Sequence, residues 1–269
     1  MVQRLVSPTG RPIPLDPVHP NQGIEAAYRR RLERLVAEMH ASILYWLTAA
    51  YRANTPEMTA LAQDESPAAS MRGTMRRLAR RWEKNFDEGS AELAKWFATA
   101  AADRSDKALQ ATLRKAGFSV RFKLTDAAND ALQATTFENV ALIKSIASQH
   151  LAEVEGLVMR SVSAGRDLKM LTDDLVQRYD ITRRRAIFIA RDQNNKATAT
   201  ITRVRQQSLG INEAIWLHSR AGKEPRPSHV EFNGQKYDPL KGAFLDGVWT
   251  WPGREINCKC VSKSVISGF

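Results

Sequence analysis

The chain has very few cysteines and no long apolar run. Only two of its 269 residues are cysteine, Cys258 and Cys260. This excludes a disulfide-rich scaffold and makes a reducing compartment the expected environment. The best candidate for a membrane span, residues 39–51, has 13 residues, whereas a span needs about 20. The N-terminus also lacks an apolar run followed by a small-residue cleavage site, so we expect no signal peptide and no membrane contact of the free protein.

Prolines are scarce except at the N-terminus, where the first 21 residues hold five of the 11. Proline has no amide donor and restricts the residue before it, so it supports neither a helix nor a central strand. We therefore expect residues 1–21 to form an extended arm that cannot fold alone. Such an arm is either disordered or laid against a partner.

Positive charge is abundant but unevenly distributed. The formal net charge is +11; residues 1–155 carry 21 Lys/Arg against 18 Asp/Glu, and residues 156–269 carry 19 against 11. The C-terminal part is suited to phosphates or to an acidic protein partner. A solvated basic face that keeps the protein soluble explains the charge alone equally well.

Residues 22–180 have the periodicity of a helical body. Apolar residues recur at spacings of three and four, which places them on helix faces: Tyr28, Leu32, Leu35, Met39, Ile43 and Leu47 in the first segment, and Met71, Met75, Leu78, Trp82, Phe86, Leu93, Trp96 and Phe97 in the second. Residues 54–70 are predicted to be a loop, and residues 117–124 to be a strand or an extended connection. Thr125 and Thr172 are predicted N-caps.

A basic helix is predicted from Thr182 to Gly210, and it begins with three arginines, Arg183, Arg184 and Arg185. Cations at a helix start oppose the helix dipole. Their placement suggests an external anionic partner, either DNA phosphates or acidic residues of another subunit. Alternatively, the packed side of the helix sets its register and the arginines are simply solvated.

Residues 181–269 are predicted to form a C-terminal module that includes this basic helix. Beyond Gly210 there are strand-like runs at residues 211–218, 248–251 and 260–266, separated by glycine- and proline-rich loops. The predicted fold class is α+β, a mainly α-helical N-terminal body with a small α/β or β-rich C-terminal module.

Four separated elements of this module follow a characteristic order. They are a strand ending in Trp216, the run RPSH (Arg226–His229), the run FNGQKYD with Gly234, and PGREINCKC (Pro252–Cys260). The helix before them carries ARDQNNKATA (Ala190–Ala199). Residues 185–262 thereby resemble the phage Mu F-like head morphogenesis family, the minor head proteins of tailed phages. Two departures are Cys-Lys-Cys in place of the common Cys-Arg-Cys, and the absence of a Thr and an Asp before Arg226.

The resemblance implies a protein of the virion, inside the capsid or at the portal vertex, and in the host cytoplasm during assembly. The implied function is head morphogenesis, with DNA packaging or ejection as an extension. The implied partners are the portal protein, other head proteins (capsid or scaffold) and packaged DNA. The family motif positions in this chain are Trp216, Arg226, His229, Gly234, Pro252, Gly253, Asn257, Cys258 and Cys260.

The two thiols allow three interpretations. If they lie on a strand, both project from one face at a separation of about 6.5 Å, which disfavours a disulfide between them. With His218 and His229 they could supply a Cys2His2 zinc site, although a one-residue spacing is tighter than usual. We expect reduced thiols that help to pack the module, and no bound cofactor; zinc remains the alternative.

A catalytic interpretation is also open, in which the protein binds or cuts DNA with its basic helix and the His/Cys module. His229 would then be a general base and Arg226 an anion clamp. The alternative is a loop-fixing network, His229 to a carbonyl and Arg226 to a carboxylate. The sequence contains no complete catalytic set, so we predict a structural protein rather than an enzyme. We also expect Trp216, Trp249 and Trp251 to pack in the core of the module rather than stack on bases.

Overall fold

The structure, a computed structural model, describes residues 2–4, 11–53, 67–164, 167–220 and 224–267. Most of these residues lie in four long helices, and short antiparallel strands are concentrated in the C-terminal part. The predicted α+β class is therefore confirmed. Among the described helices, none has an apolar stretch long enough to cross a bilayer.

The helices are α1 (Gln22–Ala53), α2 (Pro67–Lys115), α3 (Asp126–Ser163), α4 (Leu168–Ser208) and the short α5 (Pro227–Glu231). The strands are β1 (Val2–Arg4), β2 (Ile13–Pro14), β3 (Phe118–Val120), β4 (Glu213–Leu217), β5 (Lys236–Tyr237), β6 (Ala243–Leu245), β7 (Val248–Thr250) and β8 (Val261–Ile266). They form a four-stranded sheet in the order β2-β8-β4-β5 and two pairs, β1-β3 and β6-β7, all antiparallel.

The chain divides into two compact units. The helical unit comprises Ala27–Leu93 and Glu138–Ala190, and the mixed unit comprises Met1–Ala26, Ala94–Phe137 and Arg191–Phe269. Each of the four long helices contributes residues to both units.

The core of the helical unit is built from the apolar faces of its helices. The fully buried face of α1 is Tyr28, Leu32, Val36, Met39, Ile43 and Leu47. Val36 takes the position that the sequence assigned to Leu35, which is half-buried, because a step of four residues from Leu32 stays on the same face. In α2, Met71, Met75, Leu78, Trp82 and Phe86 are buried as predicted.

The helix boundaries follow their caps. Asn21 Oδ1 accepts from the Ile24 amide at the start of α1, and Thr125 Oγ1 accepts from the Ala128 amide at the start of α3. The predicted cap Thr172 is wrong, because Asp167 caps α4 by accepting from the Met170 amide. Gly210, with φ 68, follows the end of α4 as predicted. Most of the predicted loop at 54–70 lies outside the described residues, and α2 already begins at Pro67.

The predicted start of the basic helix at Thr182 is wrong. Thr182 is buried in the middle of α4, so Arg183, Arg184 and Arg185 oppose no helix dipole. Arg183 Nε donates to Glu33 Oε1 over 2.9 Å, and Arg185 Nη2 donates to Ser145 Oγ over 2.8 Å. Two of the three arginines thus form contacts within the helical unit. Their position in the sequence therefore no longer indicates an external anionic partner.

The described residues 11–21 of the proline-rich arm pack against their own chain. Strand β2 pairs with the end of β8, and the Leu15 amide donates to Ser264 O over 2.8 Å. Leu15 and Val18 are buried in a cluster with Leu109, Leu113, Phe118, Ile211 and Ile266. The expectation of a disordered or partner-bound arm is therefore wrong for residues 11–21, because their apolar side chains find a place in the mixed unit. Residues 5–10, including Pro8, lie outside the described part.

Arg205 of α4 forms a buried ion pair in the mixed unit. Its Nε and Nη2 donate to the two carboxylate oxygens of Asp106 over 2.9 and 2.7 Å, and its Nη1 donates to Lys123 O over 2.8 Å. Only 5% of Arg205 is exposed. A guanidinium that is removed from water must be stabilised by hydrogen-bond acceptors and an opposite charge, which Asp106 and Lys123 O supply here.

We expect Asp106→Ala to lower the free energy of unfolding by about 3–5 kcal/mol, because it leaves a buried cation without its carboxylate. Asp16→Ala is the matched control, since it breaks the exposed pair with Lys115 and such pairs contribute about 0–1 kcal/mol. Urea unfolding of both variants measures the difference. Equal losses would contradict the assigned role of the Arg205–Asp106 pair.

His150 is held neutral in the helical unit. Thr182 Oγ1 donates to Arg178 O and therefore accepts from His150 Nδ1 over 2.8 Å. His150 Nε2 is buried without a hydrogen-bond partner among the described residues. Burial, with His40 and Arg178 as nearby cations, lowers the pKa of His150 to about 4 from 6.5.

Since this pKa is lower in the folded state, the unfolded chain binds more protons below pH 6.5. The contribution of His150 to the free energy of unfolding is therefore fully present above pH 6.5. It falls by up to about 3 kcal/mol as the pH drops towards 4. His150→Asn, which keeps a donor but cannot be protonated, should flatten the fall in melting temperature between pH 7 and 4.5. His19→Asn, at an exposed position, should leave the fall unchanged. Identical pH profiles for His150→Asn and the unmodified protein would contradict the assignment.

Candidate functional site

The site is built around Trp216, which is fully buried on strand β4. Its ring meets those of His229, Phe232 and Tyr237 edge-on, with centroid distances of 4.9, 5.8 and 6.1 Å. The Trp216 amide donates to Gln235 O, and Trp216 O accepts from the Gly234 amide. Gly234, with φ 82, makes the turn that brings β5 back beside β4. Trp216 is therefore a core residue, as predicted.

His229 lies on α5, a single helical turn that begins at Pro227, where proline costs no hydrogen bond. Its Nδ1 is 3.5 Å from Cys258 Sγ and 3.7 Å from Cys260 Sγ. The three residues are only 3–4% exposed, yet they all line one cleft. The expected histidine–carbonyl contact is replaced by contacts to both sulfurs.

Cys258 and Cys260 are free thiols that precede β8 rather than lying on a strand. They still face the same side, because both sulfurs meet the His229 ring. The amide of Gly253 donates to Cys258 Sγ over 3.4 Å.

The two thiols have opposite pKa shifts. The Cys260 thiol lowers the pKa of Cys258, and His229 and the Gly253 amide act in the same direction against burial. The pairing with Cys258, together with burial, raises the pKa of Cys260. The Trp216 indole N–H has no oxygen or nitrogen acceptor among the described residues. It partly offsets this rise by lowering the pKa of Cys260. The site thus favours a thiolate on Cys258 and the protonated thiol on Cys260.

The polar side of α4 holds the loop that carries the cysteines. Asp192 is 5% exposed, and its Oδ1 accepts from the Asn257 amide over 2.6 Å. Asn195 Nδ2 donates to Cys258 O over 3.3 Å, and Arg191 Nη2 donates to Asn257 Oδ1 over 3.2 Å. Asn257 has φ 59, a left-handed conformation that these contacts hold in place.

Asp192 and Asn195 were not predicted as site residues, although the run ARDQNNKATA was singled out. Their spacing of three residues places them on one face of a helix. A carboxylate and an amide together on one helix face were the sequence feature that could have identified these two residues as part of the site.

The structure brings most of the predicted residues together. Arg226 Nη2 donates to Ile256 O over 3.0 Å and lies 3.9 Å from Glu255, in line with the predicted loop-fixing role. His218 lines the same cleft, but its ring nitrogens lie outside the His229–Cys258–Cys260 cluster, and its Nδ1 accepts from the Arg220 amide. The proposed Cys2His2 set is therefore not assembled in this structure.

The other two tryptophans of the module differ from the prediction. Trp249 is 55% exposed, so its assignment to the core is wrong; Thr250, next to it on β7, is the buried residue. Trp251 is half-buried, with its indole N–H donating to Pro239 O and the guanidinium of Arg203 4.5 Å from its ring centroid. Side chains alternate along a strand, so Trp249 faces away from the side on which Thr250 is buried.

Residues 152–263 match the family described as Phage Mu protein F like protein. The Mu F-like resemblance is confirmed. The matched segment contains every motif position described above, together with α4.

One curated relative adds a partial likeness. An uncharacterized protein of Haemophilus influenzae is 36% identical over 136 residues, which is 50% of this chain and 29% of the relative. This chain therefore covers less than a third of that relative's length. No solved structure is significantly similar to the chain.

Gly253 packs the cysteine loop directly against α4. A Cβ there would lie 2.8 Å from Ala199 Cβ and 3.2 Å from Cys260 O, and its φ is +82°. Gly247 has nearly the same φ, +80°, but open space around it. A comparison of alanine variants at the two glycines therefore distinguishes the cost of backbone strain from the cost of close packing.

We expect Gly247→Ala to cost about 1–2 kcal/mol through its left-handed backbone alone. Gly253→Ala should cost about 1–3 kcal/mol more, because the loop must move away from α4. Thermal unfolding of the two variants measures this difference. A Gly253→Ala variant as stable as Gly247→Ala would refute the close approach.

Proposed function

We propose that this protein is a minor head protein of a tailed phage that acts in head morphogenesis at the portal vertex. The observation that carries the proposal is the family match over residues 152–263, the segment that contains the buried cluster of His229, Cys258 and Cys260.

An exposed apolar hairpin supports docking to another protein. Strands β6 and β7 pair directly, and Phe244, Val248 and Trp249 are 59, 51 and 55% exposed. The rings of Phe244 and Trp249 lie 5.5 Å apart and form one aromatic patch, called here the β6–β7 patch. Exposed aromatic patches are typical of protein interfaces. We assign this patch to the portal protein of the same phage.

A non-enzymatic role is favoured over DNA cleavage. The nuclease hypothesis requires His229 as an accessible base and Arg226 as an anion clamp. His229 is 3% exposed with its Nδ1 against two sulfurs, and Arg226 is engaged by Ile256 O and Glu255. The basic charge of the C-terminal part supports contact with packaged DNA as an additional, non-catalytic interaction.

The portal assignment predicts a complex that resists salt. Co-expressed with the portal protein of its phage, the chain should remain bound at 1 M salt, where charges are screened beyond about 3 Å. The double variant Phe244→Ser/Trp249→Ser should lose at least about tenfold in affinity, because it removes the β6–β7 patch. Tyr45→Ser, at a 67% exposed aromatic residue of α1, is the matched control and should bind normally.

Two outcomes would overturn the proposal. One is a pull-down that recovers no portal protein at any salt concentration. The other is divalent-metal-dependent nicking of DNA by the purified chain that is abolished by His229→Ala, which would establish the enzymatic alternative.

A further inference from the structure

We propose that His229 Nδ1, Cys258 Sγ and Cys260 Sγ bind one Zn²⁺ ion. In the described part of the chain, these three ligand atoms all lie within 4.8 Å of one another. The residues come from two separate segments, the α5 turn and the loop before β8, so the cluster is a product of the fold. This inference does not depend on the portal assignment.

The distances between the atoms fit a tetrahedral metal ion. Zn–S bonds of about 2.3 Å and a Zn–N bond of about 2.0–2.1 Å place sulfur and nitrogen ligands about 3.5–3.6 Å apart. The two sulfur–nitrogen distances in the site are 3.5 and 3.7 Å. These two distances therefore need little change for a metal to bind between the imidazole and the sulfurs.

A network of hydrogen bonds accounts for the cluster less well. The single Nδ1 of His229 can accept a proton from one thiol only, or donate one to one sulfur, yet it faces both sulfurs at similar distances. A metal ion uses the lone pairs of all three atoms at once. Thiolate and imidazole ligands together are typical of zinc sites, whereas oxygen ligands would favour calcium or magnesium.

The charges also favour a metal at this buried position. A metal binds the thiolate forms of both cysteines, and two thiolates with a neutral imidazole cancel the charge of Zn²⁺. The Gly253 amide donates to Cys258 Sγ, which supports a thiolate there.

Three protein ligands leave one coordination position open. All three residues line the same cleft as His218, so a water molecule from the cleft can complete the tetrahedron. The zinc interpretation thus replaces the packing role expected for the thiols, and it uses His229 rather than the His218–His229 pair.

The test uses the full chain, purified under reducing conditions and stripped with a chelator. Titration with Co²⁺ should produce thiolate-to-cobalt charge-transfer bands that saturate at one equivalent, and Zn²⁺ should abolish them by displacement. Both thiols should become protected from a thiol reagent when Zn²⁺ is added. The absence of these bands, or unchanged thiol reactivity with Zn²⁺, would overturn the proposal without requiring any variant.

Variants then identify the ligands. Cys260→Ser and His229→Asn should lose the charge-transfer bands at one equivalent of Co²⁺, with circular dichroism confirming that the helices persist. His218→Asn is the matched control from the same cleft and should retain them. Loss of the bands in His218→Asn would overturn the three-residue assignment in favour of a Cys2His2 site.

Discussion

The cysteine-containing loop depends on a short hydrogen bond from its backbone to a buried carboxylate. The Asn257 amide donates to Asp192 Oδ1 over 2.6 Å, and Lys196, one turn further along α4, lies 3.1 Å from the other carboxylate oxygen. A charge-assisted bond of this kind holds Asn257 in its left-handed conformation. The next residue, Cys258, is thereby directed towards His229.

Helix α4 also organises the sheet of the mixed unit. Gln206 is fully buried, and its Nε2 donates to Ser262 and Ser264 on β8, each over 2.8 Å. Asp192 and Gln206 thus fix the two ends of the segment 257–264 against one rigid helix. Sites supported by helices keep their geometry better than sites on free loops, which suits a cluster that must bring three ligand atoms together.

The helical body was predictable because its signal is local. Apolar residues spaced by three and four marked the buried faces of α1 and α2. The one error on α1 was to assign Leu35 to the buried face in place of its neighbour Val36. The start of α4 was misplaced because Thr182 resembles a cap in sequence. In the structure it is an interior residue whose hydroxyl bonds back to Arg178 O.

The sequence by itself determined the mainly helical class, the strands β4, β7 and β8, and the motif residues that mark the Mu F-like segment. Only the tertiary structure decided which residues meet. It placed His229 rather than His218 against the two thiols, buried Leu15 and Val18 of the arm beside β8, and exposed Trp249. Periodicity is a property of neighbouring residues, whereas these outcomes depend on contacts between segments far apart in the chain, where competing burial and hydrogen bonding choose one arrangement.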